Sequence, residues 1–455
     1  MLKKIISAIL CLLLVACSQE SEEVNSSPSQ FSLEDISFAG TVAKIRWSKA
    51  QDADQDEVFY NVYLNSELIK GPVSQNEITT TLEYNRDYEG LIIATDRNGG
   101  TTELKFNFKG PASKIILVSD FQSGQVVAID LDTRSRIWTA PNQDGVHSVN
   151  NDLVYSGVLN LTAHHLFTGE KVWEKQPVNR SYDIGYRHLM ADDQNLYSIT
   201  SDMTMVAIDL ERQEKQWEIS LFDSNYRYAM DEAYLYIPKR NNHELIAVNK
   251  YSGEIKWEFG VDNPVSSLAP FIEHAPLVHG GNLYFQDNNG RFYSVNKLSG
   301  AKNYSLDLGK YSKTAPVWAN GNVIFTARDE IFSVKATTGT INWRYYFGDV
   351  SQSSPFKEDG KIFVGAGNHL FCFDALTGAL RWKSSVGATV VSSPIVYDGK
   401  VYVSSHSARL HCLNAENGNM EWEVGNVTFS VSSPTLIIGN SEKIIHPSDY
   451  GLHYN

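Results

Sequence analysis

The sequence predicts an all-β protein in which an eight-bladed β-propeller follows a small β-sandwich. Aromatic residues make up 11% of the 455 residues and include 23 Tyr and 20 Phe. Aromatic side chains are enriched in strands, so this composition favours β structure. Residues 31–110 contain short alternating runs separated by turn residues, which is typical of a sandwich. Residues 112–455 repeat with a period of ~40 residues, which is typical of a propeller.

The first residues read as a targeting segment. Two lysines precede a short apolar run, Ile5–Val15, which is too short to span a bilayer comfortably. The run leads into Leu14-Val15-Ala16-Cys17, which resembles the lipobox of bacterial lipoproteins. The resemblance implies a lipoprotein signal peptide over residues 1–16 and lipid modification of Cys17. The alternative is an ordinary signal peptide with an incidental cysteine.

The residues after the lipobox predict a tether. Residues 17–30 are rich in Ser and Glu, with one Pro, and we expect them to be flexible. Ser18 stands where an Asp would favour the inner membrane in enterobacterial lipoproteins, so the resemblance implies the outer membrane. No other segment has 18 consecutive apolar residues, so we expect Cys17 to be the only membrane anchor.

Residues 31–110 form the predicted sandwich. Asn98-Gly99-Gly100 indicates a hairpin, because Asn and Gly tolerate the positive φ of such turns. Trp47, the run Phe59–Tyr63 and Tyr88 follow a pattern that resembles a fibronectin type III domain, a sandwich of the immunoglobulin-like kind. The resemblance implies that Trp47 fills the core and that Tyr88 is the corner tyrosine.

An acidic loop in this segment has two readings. Asp52, Asp54 and Asp56 alternate, and three carboxylates at this spacing can converge on a cation such as calcium. The loop lacks the Gly and the bidentate Glu of the EF-hand pattern, so a solvated loop between strands is the alternative. We assign no metal ligand.

A column of aromatic residues organises the second segment. Four positions before most of its members stands a Gly, and eight positions before stands a polar residue, most often Asp or Asn. The polar side chain can bond the turn backbone and Gly supplies positive φ, so each unit reads strand, tight turn, strand. The members of the column are Trp138, Trp173, Trp217, Trp257, Tyr304, Trp343, Trp382 and Trp422.

This column predicts how the units pack. Each unit can bury its flat faces only against its neighbours, so we expect the aromatic column to fill the space between blades. Eight aromatic units predict eight blades, with seven as the alternative. Residues 431–455 read as three further strands, which we expect to close the ring with the first repeat.

Few residues in the sequence point to chemistry. A net charge of −14 argues against nucleic-acid binding. HExxH, CxxC, GxSxG and P-loop patterns are absent, so we assign no catalytic, cofactor-binding or metal-binding residue. Cys372 and Cys412 occupy the same position in consecutive repeats and are expected to be buried thiols, although a disulfide is the alternative. Trp318 lies outside the column and is the candidate partner-binding residue.

The repeats resemble a known family. Gly253 to Trp257 and Gly378 to Trp382 match the pyrroloquinoline-quinone (PQQ)-type propeller repeat. With the lipobox, the chain resembles the family of the outer-membrane assembly factor BamB. The resemblance implies a non-enzymatic, lipid-anchored scaffold that faces the periplasm and binds a barrel-forming protein. The loop Asn263–His274 lies roughly where that family contacts its partner, but it lacks the family's Arg.

The predicted organisation is therefore a signal peptide over 1–16, a tether over 17–30, a sandwich over 31–110 and a propeller over 112–455. We expect a monomer that binds a protein, with outer-membrane assembly components as candidates, and no cofactor. Two alternatives stay open: a quinoprotein-type enzyme, and a lipoprotein that binds carbohydrate or a surface. The adjacent Cys-Cys pair of many quinoprotein dehydrogenases is missing, which disfavours the enzyme.

Overall fold

The chain divides into two compact units, Met1–Gly110 and Pro111–Asn455. The predicted signal peptide and Cys17 lie outside the described residues. No helix among the described residues is long and apolar enough to cross a membrane. The computed structural model describes residues 25–120, 124–141, 147–150, 152–157, 160–175, 186–200, 202–222, 224, 227–239, 244–262, 272–425, 433–439 and 443–451.

Two antiparallel sheets build the first unit. One sheet has the strand order β1-β2-β5 and the other has the order β4-β3-β6-β7. The strands are β1 (Leu33–Ala39), β2 (Val42–Trp47), β3 (Phe59–Leu64), β4 (Glu67–Val73), β5 (Glu77–Thr81), β6 (Asp87–Thr95) and β7 (Thr101–Lys109).

The two sheets share one hydrophobic core. Trp47 on β2 is fully buried and meets Tyr60 on β3 edge-to-face, with ring centroids 5.3 Å apart. The Tyr88 hydroxyl accepts a 2.8 Å hydrogen bond from the Glu83 backbone N–H, five residues upstream. Residues from Asn25 onward, expected to belong to the tether, lie against this unit: Asn25 Nδ2 donates to Asp96 at 3.0 Å. The fibronectin type III assignment itself stays a prediction.

The second unit contains eight antiparallel sheets among its described residues, which are the blades of a propeller. The prediction of eight blades is therefore confirmed, and the seven-bladed alternative is wrong. The strands are, in blade 1, β8 (Lys114–Asp120), β9 (Gln125–Asp130) and β10 (Ser135–Pro141); in blade 2, β11 (His147–Asn150), β12 (Leu153–Gly157), β13 (Leu161–His165) and β14 (Lys171–Lys175); in blade 3, β15 (Tyr186–Ala191), β16 (Asn195–Thr200), β17 (Thr204–Asp209) and β18 (Lys215–Ser220); in blade 4, β19 (Ala229–Met230), β20 (Tyr234–Lys239), β21 (Glu244–Asn249) and β22 (Ile255–Gly260); in blade 5, β23 (Leu277–His279), β24 (Asn282–Gln286), β25 (Arg291–Asn296) and β26 (Lys302–Asp307); in blade 6, β27 (Val317–Ala319), β28 (Asn322–Ala327), β29 (Glu330–Lys335) and β30 (Ile341–Tyr346); in blade 7, β31 (Phe356–Glu358), β32 (Lys361–Ala366), β33 (His369–Asp374) and β34 (Leu380–Ser385); in blade 8, β35 (Ile395–Tyr397), β36 (Lys400–Ser405), β37 (Arg409–Asn414) and β38 (Met420–Val424); and, returning to blade 1, β39 (Thr435–Ile438) and β40 (Lys443–Ile445).

Burial differs between the middle and the outer strands of a blade. In blade 7, every residue of β32 is buried, whereas most residues of the aromatic-column strand β34 are exposed. Middle strands are covered on both faces by neighbouring blades, so they read as continuous apolar runs. The first strands of neighbouring blades contact one another, for example β23 with β27, which places these strands at the ring axis.

The end of the chain closes the ring. β39 pairs antiparallel with β8, with Leu436 opposite Ile116, and β40 pairs with the other edge of β39. Blade 1 therefore has five strands, in the order β10-β9-β8-β39-β40. The expected pairing of the C-terminal residues with the first repeat is confirmed. Instead of three strands, the described residues after 431 form two strands and a 3-10 turn, Ser448–Tyr450.

Candidate functional site

The polar and Gly columns build the turn that precedes the aromatic-column strand of each blade. In blade 7, Asp374 Oδ1 accepts hydrogen bonds from the Thr377 and Leu376 backbone N–H groups at 3.0 and 3.2 Å. Gly378 follows with φ of 72° and donates its N–H to the Asp374 carbonyl. The hydrogen bonds from Arg381 and Thr377 lower the pKa of Asp374 to about 2. The carboxylate thus fixes the turn in its ionised form.

The aromatic column joins each blade to the next one. Trp343 Nε1 donates to the Ala375 carbonyl in blade 7 at 3.2 Å, and a Cβ on Gly378 would lie 2.5 Å from Trp343 Cδ2. Gly is therefore required at this position for two reasons. The backbone has a positive φ, and the aromatic ring of the preceding blade leaves no room for a Cβ. The corresponding hydrogen bonds are Trp138 to Leu166, Trp217 to Lys250, Trp257 to Lys297, Tyr304 to Ala336 and Trp382 to Ala415.

Two blades depart from the Gly column. Arg134 takes the Gly position in blade 1 with φ of 58°, and its guanidinium lies 5.5 Å from the ring centre of Trp422. Gln213 takes this position in blade 3 with φ of 57°. Trp173 of the preceding blade packs in an apolar cluster that contains Tyr155 of its own blade and Leu196 of blade 3. The Arg134 contact is a cation–π interaction that replaces the Gly–Trp packing at the ring closure.

Two ion pairs cross neighbouring blade interfaces. Lys250 Nζ of blade 4 lies 2.8 Å from Asp192 Oδ2 of blade 3, and Lys297 Nζ of blade 5 lies 2.9 Å from Asp231 Oδ2 of blade 4. A tyrosine hydroxyl donates to each carboxylate, from Tyr236 to Asp231 at 3.0 Å in the second pair. Burial alone would raise the pKa of Asp231, but the hydrogen bonds it accepts, including one from Lys297, hold that pKa below its usual range.

The sequence analysis did not single out these pairs, although it contained a signal for them. The residue directly after the Asp/Asn column is Lys in repeats 4 and 5, and Leu or Ala in the other six repeats. A charged residue at an otherwise apolar repeat position calls for an opposite charge when it is buried.

One end of the propeller carries the turns that follow the first and third strands of blades 2 to 8; we call it the turn face. On this face a cavity of about 590 Å³ lies at the inner ends of blades 2 to 4. Its lining is Val149, Asn150, Ala191, Asp192, Asp193, Gln194, Glu232, Lys250, Tyr251, Ile444 and His446.

The last described residues, 443–451, fill the ring axis, and we call them the C-terminal plug. The Tyr450 hydroxyl donates to Ser148 Oγ in blade 2 at 2.7 Å and lies 3.1 Å from the Leu189 carbonyl in blade 3. The Met230 N–H of blade 4 donates to the Gly451 carbonyl at 2.8 Å. A segment that bonds the innermost strands of three consecutive blades must lie at the axis.

Three histidines lie in the plug or next to it. His446 stacks on Tyr450, with ring centroids 4.2 Å apart, and His188 meets Tyr228 edge-to-face. Burial lowers the pKa of His147 to about 4, and the pKa of His188 and of His446 to about 3. These imidazoles are therefore neutral at neutral pH.

The structure places the other candidate residues as follows. Trp318 lies on β27, half-buried, and stacks on His279 of blade 5 with ring centroids 3.8 Å apart. Of the loop Asn263–His274, residues 263–271 lie outside the described residues, and His274 is buried. Cys372 and Cys412 are free and buried in separate blades, and burial raises the pKa of both thiols to about 12.

The acidic loop of the first unit is held by hydrogen bonds. Asp52 Oδ1 accepts from the Asp54 and Asp56 N–H groups at 2.9 and 3.3 Å, and Asp56 Oδ2 accepts from Asn98 Nδ2 at 2.7 Å. Across the described part of the chain, no three His, Cys, Asp or Glu side chains are grouped so that they could hold a metal ion.

The fold and the blade interfaces define a class of protein, the β-propellers built from PQQ-type repeats. The family model described as outer membrane protein assembly factor BamB matches residues 122–345 and 327–451. The chain belongs to this family. Comparison with curated proteins gives no match.

Solved structures share the fold at low identity. BamB from Moraxella catarrhalis is 15% identical, with a TM-score of 0.51 over 63% of this chain and 92% of that chain. A europium-containing methanol dehydrogenase is 11% identical, with a TM-score of 0.55 over 67% of this chain and 81% of that one. The computationally designed Ika8 protein is 14% identical, with a TM-score of 0.50 over 64% of this chain and 93% of its own.

Proposed function

We propose that the chain is a non-enzymatic, lipid-anchored scaffold on the periplasmic side of the outer membrane, where it takes part in the assembly of outer-membrane β-barrel proteins. The match of the BamB family model over residues 122–345 and 327–451 carries this proposal. The rigid ring presents its turns at two ends, where partners dock. A net charge of −14 favours a partner with a basic surface.

The central axis supports a binding role rather than quinone chemistry. Tyr450 and His446 of the C-terminal plug occupy the axis, packed against blades 2 to 4. Cys372 and Cys412 lie in separate blades and do not form an adjacent pair. These residues do not fit a quinone held with a metal ion, so we derive no step through such a group.

The likeness to methanol dehydrogenase supports the quinoprotein enzyme as a second candidate. Titrating the purified protein with pyrroloquinoline quinone and calcium distinguishes the two candidates by the quinone absorbance. A scaffold leaves this spectrum unchanged and does not oxidise alcohols. Saturable quinone binding with alcohol oxidation would instead establish the enzyme. The third candidate, a lipoprotein that binds carbohydrate or a surface, would capture polysaccharide instead of protein.

Affinity capture from detergent-solubilised outer membranes tests the scaffold proposal. We expect the tagged full chain to retain β-barrel assembly components, and we expect recovery to fall as salt screens the acidic surface over a Debye length of ~8 Å. Trp318→Ala should reduce recovery because it removes the half-buried indole that we propose contacts the partner. Tyr346→Ala, at an exposed tyrosine on the outer strand of the same blade, is the matched control. Capture without any assembly component would refute the proposal.

The lipid anchor has its own test. Cys17→Ser should abolish metabolic palmitate labelling and release the protein from membranes, because acyl chains supply nearly all of the bilayer affinity. Retention of the label in this variant would show that Cys17 is not the acylated residue.

A further inference from the structure

An exposed aromatic side chain lies in the connection from blade 3 to blade 4. Phe222 follows β18 and is 81% exposed, the highest exposed fraction among the large apolar side chains of the described residues. The connections between consecutive blades lie at the end of the propeller opposite to the turn face, and we call that end the connection face. A single exposed apolar residue is common on protein surfaces, so exposure alone does not indicate a site.

The backbone of this residue is more informative. Phe222 has a left-handed conformation, with φ of 60°. A bulky L-residue is an outlier in this region, because its Cβ lies close to the following carbonyl oxygen. Backbone conformations of this kind persist where the surrounding structure imposes them, and they concentrate at functional sites.

Other blades have glycine at the same position. Phe222 stands five residues after the aromatic-column residue of blade 3. Five residues after the column residues of blades 5, 6 and 7 stand Gly309, Gly348 and Gly387. These glycines have φ of 61°, 81° and 79°, and a Cβ on any of them would meet nothing within 4 Å. The repeat thus contains a left-handed position that faces open space, and of these four blades only blade 3 carries a side chain there.

Backbone hydrogen bonds confirm the register of this comparison. The Leu221 N–H donates to the Met203 carbonyl at 2.8 Å, and in blade 7 the Val386 N–H donates to the Asn368 carbonyl at 3.0 Å. Each bond joins the buried residue before the left-handed position to the turn between the second and third strands of its blade. Phe222 therefore occupies the glycine position of the repeat, not an unrelated loop.

Buried residues hold the chain on both sides of Phe222. Leu221 and Ser224 are each 1% exposed. Ser224 Oγ donates to the Pro238 carbonyl of blade 4 at 2.9 Å, and Ser224 pairs with Lys239 in an isolated antiparallel bridge. The aromatic ring is therefore presented by a backbone that is anchored to two blades. Such preorganisation reduces the entropy that is lost on binding.

We propose that Phe222 is an aromatic anchor that inserts into an apolar pocket of a partner protein. Aromatic side chains in such pockets carry much of the binding free energy of protein interfaces. The net charge of −14 favours a pocket with a basic rim. A bilayer fits less well, because membrane affinity scales with the apolar area that is buried, and this anchor is one side chain. The inference rests on the proposed function and deepens it, since it names a contact residue and the chemistry of the partner's pocket.

Photo-crosslinking of the full chain in intact cells tests the occupant. The probe is Phe222→p-benzoylphenylalanine, which keeps an aromatic ring at this position. The control is Leu376→p-benzoylphenylalanine, because Leu376 is 63% exposed but lies on the turn face of blade 7, across the ring from blade 3. We expect a crosslink to a β-barrel assembly component from position 222 and none from position 376. Crosslinks from position 222 to lipid only, to a second copy of this chain or to nothing would overturn the proposal, as would equal crosslinks from both positions.

Phe222→Gly separates binding from stability. This variant restores the glycine of the other blades, so its denaturation midpoint should not fall, because glycine adopts the left-handed φ without strain. Recovery of β-barrel assembly components from solubilised outer membranes should fall about tenfold, since the anchor is lost. Leu376→Ala should change recovery less than about twofold, as at a residue outside the interface. Unchanged recovery in Phe222→Gly, or a midpoint that falls together with recovery, would refute the anchor.

The two proposals fail in different ways. A crosslink from position 222 to a protein outside the assembly machinery, without capture of any assembly component, would keep the anchor and refute the scaffold role. Capture of assembly components that Phe222→Gly leaves unchanged would keep the scaffold role and refute the anchor. Trp318 lies on a strand that leads into the turn face, so Trp318→Ala reports on a separate contact.

Discussion

Trp382 in blade 7 donates its indole N–H to the backbone carbonyl of Ala415 in blade 8 over 3.0 Å. The same ring covers Gly418, where a Cβ would lie 2.6 Å from Trp382 Cε3. A single side chain thus supplies a directional bond and an apolar surface to the next blade. Its repetition around the ring explains why a propeller of short, separate sheets is held together.

Replacing this tryptophan should destabilise the propeller. Trp382 is 8% exposed, so Trp382→Ala should lower the free energy of unfolding by about 3–5 kcal/mol through lost burial and a cavity. Trp382→Tyr should cost less, since Tyr304 bonds the Ala336 carbonyl from the same position at 2.9 Å. Denaturant unfolding of the three proteins measures the difference. An unchanged midpoint in the alanine variant would contradict an interblade role.

Alanine variants of two glycines with similar backbone angles distinguish the energetic cost of a steric clash from the cost of backbone strain. Gly378 and Gly387 have φ of 72° and 79°, but only Gly378 faces an aromatic ring, that of Trp343, and a Cβ on Gly387 would meet open space. In both alanine variants the strain of positive φ should lower the free energy of unfolding by about 1 kcal/mol. Gly378→Ala should cost about 1–3 kcal/mol more, as overpacked sites do. Equal midpoints in denaturant would show that the contact is not tight.

Breaking a buried interblade ion pair should cost more than breaking an exposed one. Lys297→Met would leave the Asp231 carboxylate, whose side chain is 3% exposed, without its cation. We expect a loss of about 3–5 kcal/mol in the free energy of unfolding. Lys256→Met removes the exposed partner of Glu254 and should change stability by less than about 0.5 kcal/mol. Similar effects of the two substitutions in thermal or denaturant unfolding would refute this ranking.

The neutral histidines around the axis make stability dependent on pH. Their folded-state pKa values, about 4 for His147 and about 3 for His188 and His446, lie below the unfolded value of ~6.5. Below that value the unfolded chain binds more protons than the folded chain, so stability is complete above pH ~6.5 and falls toward pH ~3. Each histidine contributes a slope of up to about 1.4 kcal/mol per pH unit in that window.

His446→Phe tests this dependence. Phenylalanine keeps the stacking on Tyr450 and removes both the titrating group and the unpartnered Nδ1 atom. Unfolding midpoints measured between pH ~4 and ~7 should therefore fall less steeply in the variant than in the wild type. A parallel pH profile would mean that His446 does not titrate with unfolding.

The repeat made most of the propeller predictable. The Trp and Gly columns carry the interblade contacts and the Asp/Asn column fixes the turns, and because all three recur, one repeat can be interpreted from the others. In the first unit the buried strands, such as β2 with Trp47, alternate clearly in sequence. The mostly exposed strands β1 and β4 lack a continuous buried face, so no alternation in the sequence marks them as strands.

The candidate site was much less predictable. The cavity takes residues from turns of blades 2 to 4 and from the C-terminal plug, and these elements are far apart in sequence. Asp193 and Glu232 each follow an aspartate at the same position of blades 3 and 4, but acidic pairs in turns are also common on solvated surfaces. Their proximity depends on the curvature of the ring and on the path of the last residues, which only the fold determines.

β39 is the inner neighbour of β8, so the first blade cannot be completed until the residues of β39 have been synthesised. Until then β8 leaves the ribosome with an unsatisfied backbone edge, which can pair with another molecule. Blades 2 to 8 are each contiguous in sequence and can form while synthesis continues. A nonsense mutation between Pro141 and Thr435 would therefore damage the beginning of the propeller as well as its end, because it leaves blade 1 without β39.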